Sequence, residues 1–273
     1  MTEIKGDAML DVQKLSFSYG PKPVLHSISF SIGAGELLCL VGPNGVGKST
    51  LFKCILNIQR GYTGDILLDG RSLRTLKENE IARSIAYIPQ AHVPVYGFSA
   101  FDVVLMGACS SKGLFAQPNS RDERAASRAL EVLGLEPLAD RNYAELSGGE
   151  RQLILIARAL AQGARFLVMD EPTANLDYGN QVRIMEHIAG LTADGYSVMI
   201  STHNPEHAFL WSTRTLVMQH GRIIADGPPA KALTESSLEA LYGIPVQLFS
   251  LGNTKTGRYQ ACMPVLGLRE VLQ

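Results

Sequence analysis

Two stretches of this chain carry residue types able to handle a polyphosphate. In Gly42-Pro43-Asn44-Gly45-Val46-Gly47-Lys48-Ser49 the spacing is G-x-x-x-x-G-K-[ST], in which small residues let backbone N–H groups curl around phosphate oxygens. A helix that starts at the lysine turns its positive N-terminal end toward the same anion. Lys48 then reaches the β- and γ-phosphates, and the Ser49 hydroxyl is an oxygen ligand for Mg²⁺. The second stretch, Phe166-Leu167-Val168-Met169-Asp170-Glu171, is an apolar run that ends on two acids, the Walker B pattern of a strand delivering a carboxylate to bound phosphates. Asp170 suits Mg²⁺, directly or through water. Two adjacent acids could also merely cap a strand; the glycine loop upstream decides between these readings.

The elements around these stretches come in the order the chemistry needs. Leu37 to Val41 reads as a strand buried on both faces, the glycine loop follows, and Lys48 to Asn57 reads as a helix. Before them, Leu10 to Tyr19 and Val24 to Ile32 alternate like strands. Asp65 to Leu68 and Ile85 to Ile88 are further strands, with Asp69-Gly70 a hairpin turn. Ser99 to Glu145 is helical in character, with an amphipathic helix over Glu123 to Leu133, and forms a helical subdomain inserted in an α/β core. Leu153, Ile156, Ala157 and Leu160 line one face of a later helix. A helix over Tyr178 to Leu191 and strands at Ser197 to Ser201, Thr215 to Gln219 and Arg222 to Ala225 complete the sheet, the last pair turning at His220-Gly221. The tail holds two short helices and a strand pair near Val246 to Leu251 and Gln260 to Val265.

Composition narrows the class. The 273 residues suffice for a large buried core. Lys+Arg 25 against Asp+Glu 26 leaves a net charge of -1, so no global basic field draws the chain to nucleic acid and no such partner is expected. Mean hydropathy is +0.07, yet no run approaches the roughly 18 apolar residues of a spanning helix. Met1 to Ala8 lacks the apolar segment of a signal peptide, which points to the cytosol. Cys39, Cys54, Cys109 and Cys262 are scattered without a C-x-x-C pair and read as small core residues. His92, Trp211, His187, His207 and His220 show no metal-ligand spacing and read as structural or surface residues. The charged run from Arg121 to Arg128 reads as a solvated helix face.

Between the two phosphate stretches lies Leu146-Ser147-Gly148-Gly149-Glu150-Arg151-Gln152, which resembles the LSGGQ-type signature of ATP-binding cassette (ABC) ATPases. Further motifs arrive in family order. Tyr19 matches the aromatic that stacks on adenine, Gln90 the glutamine that contacts Mg²⁺ and the attacking water, Glu171 the general base, Asn175-Leu176-Asp177 the D-loop, and His203 the switch histidine at the γ-phosphate. Read singly, Tyr19 is equally an edge aromatic, Gln90 a surface amide, Asp177 a helix N-cap and His203 a strand-end histidine; their joint order carries the assignment.

The resemblance implies an α/β fold, a P-loop NTPase core with an N-terminal antiparallel β subdomain and an inserted helical subdomain. It divides as 1–95 and 150–245 for the core, 96–149 for the helical part and 246–273 for a C-terminal extension. It implies ATP and Mg²⁺ as cofactors, with Gly42, Asn44, Gly45, Gly47, Lys48, Ser49 and Thr50 on the nucleotide and Ser49, Gln90 and Asp170 on the metal. Ser147, Gly148 and Gly149 would cap the ATP of a second copy, so hydrolysis requires a head-to-tail dimer, and Asp177 of the D-loop joins the nucleotide-binding residues.

One nucleotide-binding domain without a membrane span resembles the ATPase subunit of an importer. Such a subunit sits on the cytoplasmic face of the inner membrane under a permease, and is served indirectly by a substrate-binding protein. Phe101 to Gly107, Leu176 to Gln181 and the tail Leu238 to Gly243 resemble ATPases that import iron-siderophore, haem, cobalamin or related metal-chelate and oxyanion cargo, with Ala108-Cys109 departing from the arginine common after the Met-Gly element. The alternatives are an exporter ATPase, and a soluble ABC ATPase acting on DNA or ribosomes, which typically has two cassettes or a long coiled coil. A P-loop kinase has no use for Leu146 to Gln152.

Overall fold

Alternation of apolar and polar side chains sets the first layer. Strand β1 (Leu10–Tyr19) buries Leu10, Val12, Leu15 and Phe17, with a shift of register after Val12 where Lys14 takes φ +49°. It pairs antiparallel with β2 (Lys22–Ile32). The computed structural model describes residues 9–90, 97–110, 117–254 and 257–265; the readings at Met1 to Ala8, at His92 and at the end of the C-terminal extension, 266–273, lie outside those residues.

In β3 (Leu37–Val41) all five residues are buried, because both faces are covered. Leu38 and Leu40 face the core shared with β1 and β2, while Leu37, Cys39 and Val41 face a second, helical core. Helix α1 (Lys48–Ile55) follows the glycine loop, and β4 (Thr63–Leu68) joins β5 (Arg71–Ser72) through Asp69 and Gly70, both at positive φ as a tight hairpin requires. These strands make a four-stranded antiparallel sheet of order β2-β1-β4-β5. Helix α2 (Glu78–Ser84) leads into β6 (Ile85–Ile88).

Helices α3 (Ala100–Ala108), α4 (Ser120–Val132) and α5 (Gly148–Ala161) pack on one another. Beyond them come β7 (Phe166–Asp170), α6 (Tyr178–Ala193), β8 (Ser197–Thr202), α7 (Pro205–Trp211), β9 (Arg214–Gln219) and β10 (Arg222–Gly227). The central sheet has the order β10-β9-β3-β8-β7-β6, parallel except for the edge strand β10. Helices α8 (Pro229–Ala232) and α9 (Glu235–Tyr242) precede a hairpin of β11 (Val246–Thr254) and β12 (Gly257–Pro264).

The α/β class, the antiparallel N-terminal sheet and the helical insertion follow the sequence reading. Four details depart from it. Helix α5 is buried on nearly every side rather than along one face, since α3 and α4 cover the side turned away from the sheet. Asp122, inside the charged run, is buried as the residue that closes the N-terminal cap of α4 with Asn119. Cys109 and Cys262 are only half-buried, unlike Cys39 and Cys54. Helices α2 and α7, each of seven residues, were not legible in the apolar pattern.

Candidate active site

The site begins where β3 runs out. A Cβ on Gly42 would lie 2.4 Å from the Met218 carbonyl oxygen of β9, so only glycine lets the loop leave the sheet there. Gly45 and Gly47 take φ +82° and +110°, a region costly for any side chain. The first intrahelical bond of α1 runs from Leu51 N–H to Gly47 O at 2.9 Å, which leaves the preceding amides of the turn without helical acceptors and free for an anion. The loop from Pro43 to Thr50 lines a cavity of about 880 Å³ together with Tyr19, Gln90 and Glu171. Tyr19, at the end of β1, meets Phe17 edge-on at 4.8 Å and remains 42% exposed. His26 and His220 also line this cavity, placing His220 beside the chemistry as well as on the surface.

Behind the loop lies a buried polar network. Asp170 ends β7, and the register of β7 against β8 sets Ser201 opposite it. The Ser201 hydroxyl donates to Asp170 Oδ1 at 2.6 Å and accepts the Glu171 N–H at 3.0 Å. Glu171 itself adopts φ +47°, a conformation costing of order 1–3 kcal/mol for a residue with a side chain. Its Oε2 accepts Gln90 Nε2 at 3.1 Å and lies 3.2 Å from His203 Nδ1, while Oε1 is 3.6 Å from Lys48 Nζ. Lys48 donates to the carbonyls of Gly42 at 2.6 Å and Pro43 at 3.1 Å. Burial pushes the Lys48 pKa down, and the facing carboxylates of Glu171 and Asp170 oppose that shift.

A second cavity of about 330 Å³ shares Asn44, Gln90 and Glu171 with the first and adds Asn175, His203 and His207. His207, read from sequence as structural or surface, pairs through Nδ1 with the Thr202 hydroxyl at 3.2 Å, and burial lowers its pKa. Seven predicted residues, Asn44, Gly45, Gly47, Lys48, Ser49, Thr50 and Tyr19, thus converge with Gln90 and Glu171 on one opening. Gly42 backs the loop, and Asp170 stands behind Glu171.

The remaining predicted residues stand apart. Ser147 caps α5 by exchange with Glu150, whose carboxylate accepts Ser147 N–H at 2.7 Å while Glu150 N–H donates to Ser147 Oγ at 3.3 Å. That amide, followed by the Ser147 hydroxyl, holds the Glu150 pKa below its ordinary value. Ser147 and Gly148 are exposed. A Cβ on Gly148 would come within 3.1 Å of Leu176 Cδ2, and one on Gly149 within 2.8 Å of the Asn180 side chain. Asn180 is in turn held by Asp177, which accepts its N–H at 2.9 Å as the N-cap of α6. The glycines therefore lie against the Leu176–Asn180 segment, and Ser147, Gly148, Gly149 and Asp177 line neither phosphate-side cavity.

Sequence reasoning missed Ser201 and Tyr242. Ser201 had a signal, a hydroxyl at the end of the otherwise apolar Val198-Met199-Ile200 run. Tyr242 had none, since only folding brings its hydroxyl to the His203 carbonyl, at 2.7 Å. Among the described residues no group of three or more His, Cys, Asp or Glu could hold a metal ion; of the predicted metal ligands Ser49 and Gln90 line the loop cavity, while Asp170 lines neither cavity and accepts the Ser201 hydroxyl.

The ABC transporter family profile matches residues 25–174 of the chain. An ABC transporter ATP-binding protein of Haemophilus influenzae is 39% identical over 86% of this chain and 89% of its own length. The hemin import ATP-binding protein HmuV of Rhodococcus jostii is 36% identical over 89% and 82%. Among solved structures, a metal-chelate type ABC transporter in an inward-facing conformation superposes with a TM-score of 0.83 at 31% identity, covering 95% of this chain and 98% of that one.

Proposed function

This chain belongs to the ABC transporter family, and from that premise we propose that it is the ATP-hydrolysing subunit of a membrane importer for a metal chelate such as iron-siderophore, haem or cobalamin, or for a related oxyanion. The observation that carries the reading is the single opening in which the glycine loop, Tyr19, Gln90 and Glu171 meet. Tyr19 offers an exposed ring for adenine to stack on. The loop amides, the start of α1 and Lys48 hold the phosphates. Glu171, its carboxylate steadied by Gln90 and His203, takes a proton from the attacking water.

Ser49, Gln90 and Asp170 are oxygen donors of the kind a hard divalent cation prefers. Mg²⁺ held by them would neutralise charge on the phosphates, and Ser201 keeps Asp170 in place for that task. Ser147, Gly148 and Gly149 need a second copy to act on nucleotide, which is the basis for a head-to-tail dimer. No helix among the described residues is long and apolar enough to cross a membrane, so permease subunits supply the pore, with a substrate-binding protein on the far side and this chain on the cytoplasmic face of the inner membrane. In this reading 1–95 and 150–245 form the core, 96–149 the helical part and 246–273 the extension.

The docking face is assigned to the segment around Tyr96 to Met106, of which residues 97–106 are described. Phe98 and Met106 are 37% and 43% exposed, apolar area that association would remove from water. Phe101 is half-buried against the core, and Tyr96 lies outside the described residues. Purified protein is expected to hydrolyse ATP only with Mg²⁺ and to copurify with a permease from gently solubilised membranes. Phe98→Asp with Met106→Asp is expected to release it from membranes with ATP binding intact; normal membrane retention would count against this face.

A further inference from the structure

The tail segment Leu238 to Gly243 reaches the active site. Helix α9 is fixed at its start by Thr234 and Ser237, which exchange cap hydrogen bonds of 2.9 and 3.1 Å, and along its length by the buried Leu238 and Leu241. Gly243, at φ +70°, ends it with its N–H on Glu239 O at 2.8 Å. Gln219, at the end of β9, donates to Ala240 O at 2.6 Å. So fixed, α9 presents its last residue, Tyr242, half-buried against the helical core, with the hydroxyl donating to His203 O at 2.7 Å.

That carbonyl falls between two hydrogen-bonding systems. Strand β8 ends at Thr202, and α7 starts after its N-cap Asn204; the first carbonyl a helix engages is that of the N-cap, one residue too late for His203. The rest of the turn is held from the other side, where Thr202 Oγ1 accepts Asn204 N–H at 3.0 Å and Asn204 Oδ1 accepts Glu206 N–H at 2.9 Å. The His203 side chain is 56% exposed and meets the acid cluster through one contact, Nδ1 to Glu171 Oε2. A ring held so lightly takes its position from its own peptide.

We propose that Tyr242 is a positioning residue for hydrolysis: its hydroxyl fixes the His203 peptide and so keeps the imidazole on Glu171, tying the C-terminal element to the ATP site. The inference rests on the reading of Glu171 and His203 as hydrolytic groups given above. Anything that displaces α9 then releases His203 without touching nucleotide.

Tyr242→Phe keeps the ring and removes the oxygen. Expected is a fall in kcat for Mg-ATP hydrolysis of about three- to tenfold, the range of one net hydrogen bond, with KM for ATP unchanged and Tm lowered by no more than about 3 °C. In protein with isotope-labelled imidazoles, the His203 resonance should move toward that of free imidazole while that of His26 stays. An unchanged kcat with an unmoved His203 resonance overturns the proposal, as does a loss confined to KM, or one that follows a fall in Tm with the resonance unmoved. If the wild type hydrolyses no ATP, the ATPase reading fails by itself, and the His203 resonance still decides whether Tyr242 positions that ring.

Discussion

Glu171 and Ser147 are both pinned by short hydrogen-bond networks, and the two networks end in different ways. Around Glu171 the bonds converge: the buried Lys48 and Ser201 and the exposed Gln90 and His203 all meet the Asp170–Glu171 pair, which is itself 5% and 7% exposed. Around Ser147 the cap with Glu150 shapes an exposed helix start and runs outward to the exposed Arg141, whose guanidinium donates to Glu150 Oε1 at 3.4 Å. A closed network of buried charge is costly to interrupt, because any partner removed leaves a desolvated group behind. An open one is a prepared surface whose worth depends on what arrives. The difference teaches that one set of polar contacts closes within the chain while the other faces outward.

The largest test breaks the closed side. Lys48→Ala removes the buried cation between the loop carbonyls and Glu171 and is expected to cut phosphate release by about a thousandfold, several kcal/mol of transition-state stabilisation. Unaltered turnover in a steady-state assay would remove Lys48 from the chemistry. The next joins the two regions. Glu171→Gln cannot take the proton but keeps its shape, so it should accumulate as an ATP-bound dimer on size-exclusion chromatography with Mg-ATP. Adding Ser147→Arg should cost about 2 kcal/mol or more at the interface and return it to monomer; a dimer indifferent to that arginine would leave the exposed face without a role.

Smaller effects sharpen how the open face is carried. A Cβ on Gly107 of α3 would stand 2.0 Å from the Arg158 carbonyl oxygen of α5. Gly107→Ala should therefore destabilise by about 1–3 kcal/mol in thermal melts, with ATP affinity kept, since the glycine loop is not in that contact. Smallest is Glu150→Ala, which removes the carboxylate half of the capping box and leaves the Ser147 hydroxyl on the residue-150 N–H, at a cost of about 1 kcal/mol or less, about 2 °C or less in Tm. The Glu150 pKa is depressed in the folded chain, so its contribution is full at neutral pH and lost as pH falls below the ordinary glutamate value through the depressed one. Melts of the two proteins should accordingly differ at neutral pH and converge in acid.

The closed region was largely legible in the sequence because its parts are local. Glycines, a lysine and a strand ending in acids carry their geometry in adjacent residues, and β1, β3 and β6 begin and end where the alternation and apolar runs place them. What escaped depends on registers and crossings. Ser201 matters only because β8 lies beside β7 with Ser201 opposite Asp170, and no spacing along the chain encodes that pairing. Helix α2 buries only Ile81 and α7 only Ala208, too little for an apolar period to show. The neighbourhood of Gly149 and Asn180 is likewise a product of packing. For Ser147 to Gly149 the reading stops at a helix start that lines neither phosphate-side cavity.

The crossing at Gly107 also has a mechanical side. Soft side chains between two helices act as cushions that yield under load. At this crossing α3 brings a buried glycine where any Cβ would strike the Arg158 backbone, so main chain bears on main chain and there is little to compress. Tilting α3, whose flank shows Met106 to the outside, would swing α5 with it and carry Ser147 at its far end: a stiff lever rather than a spring.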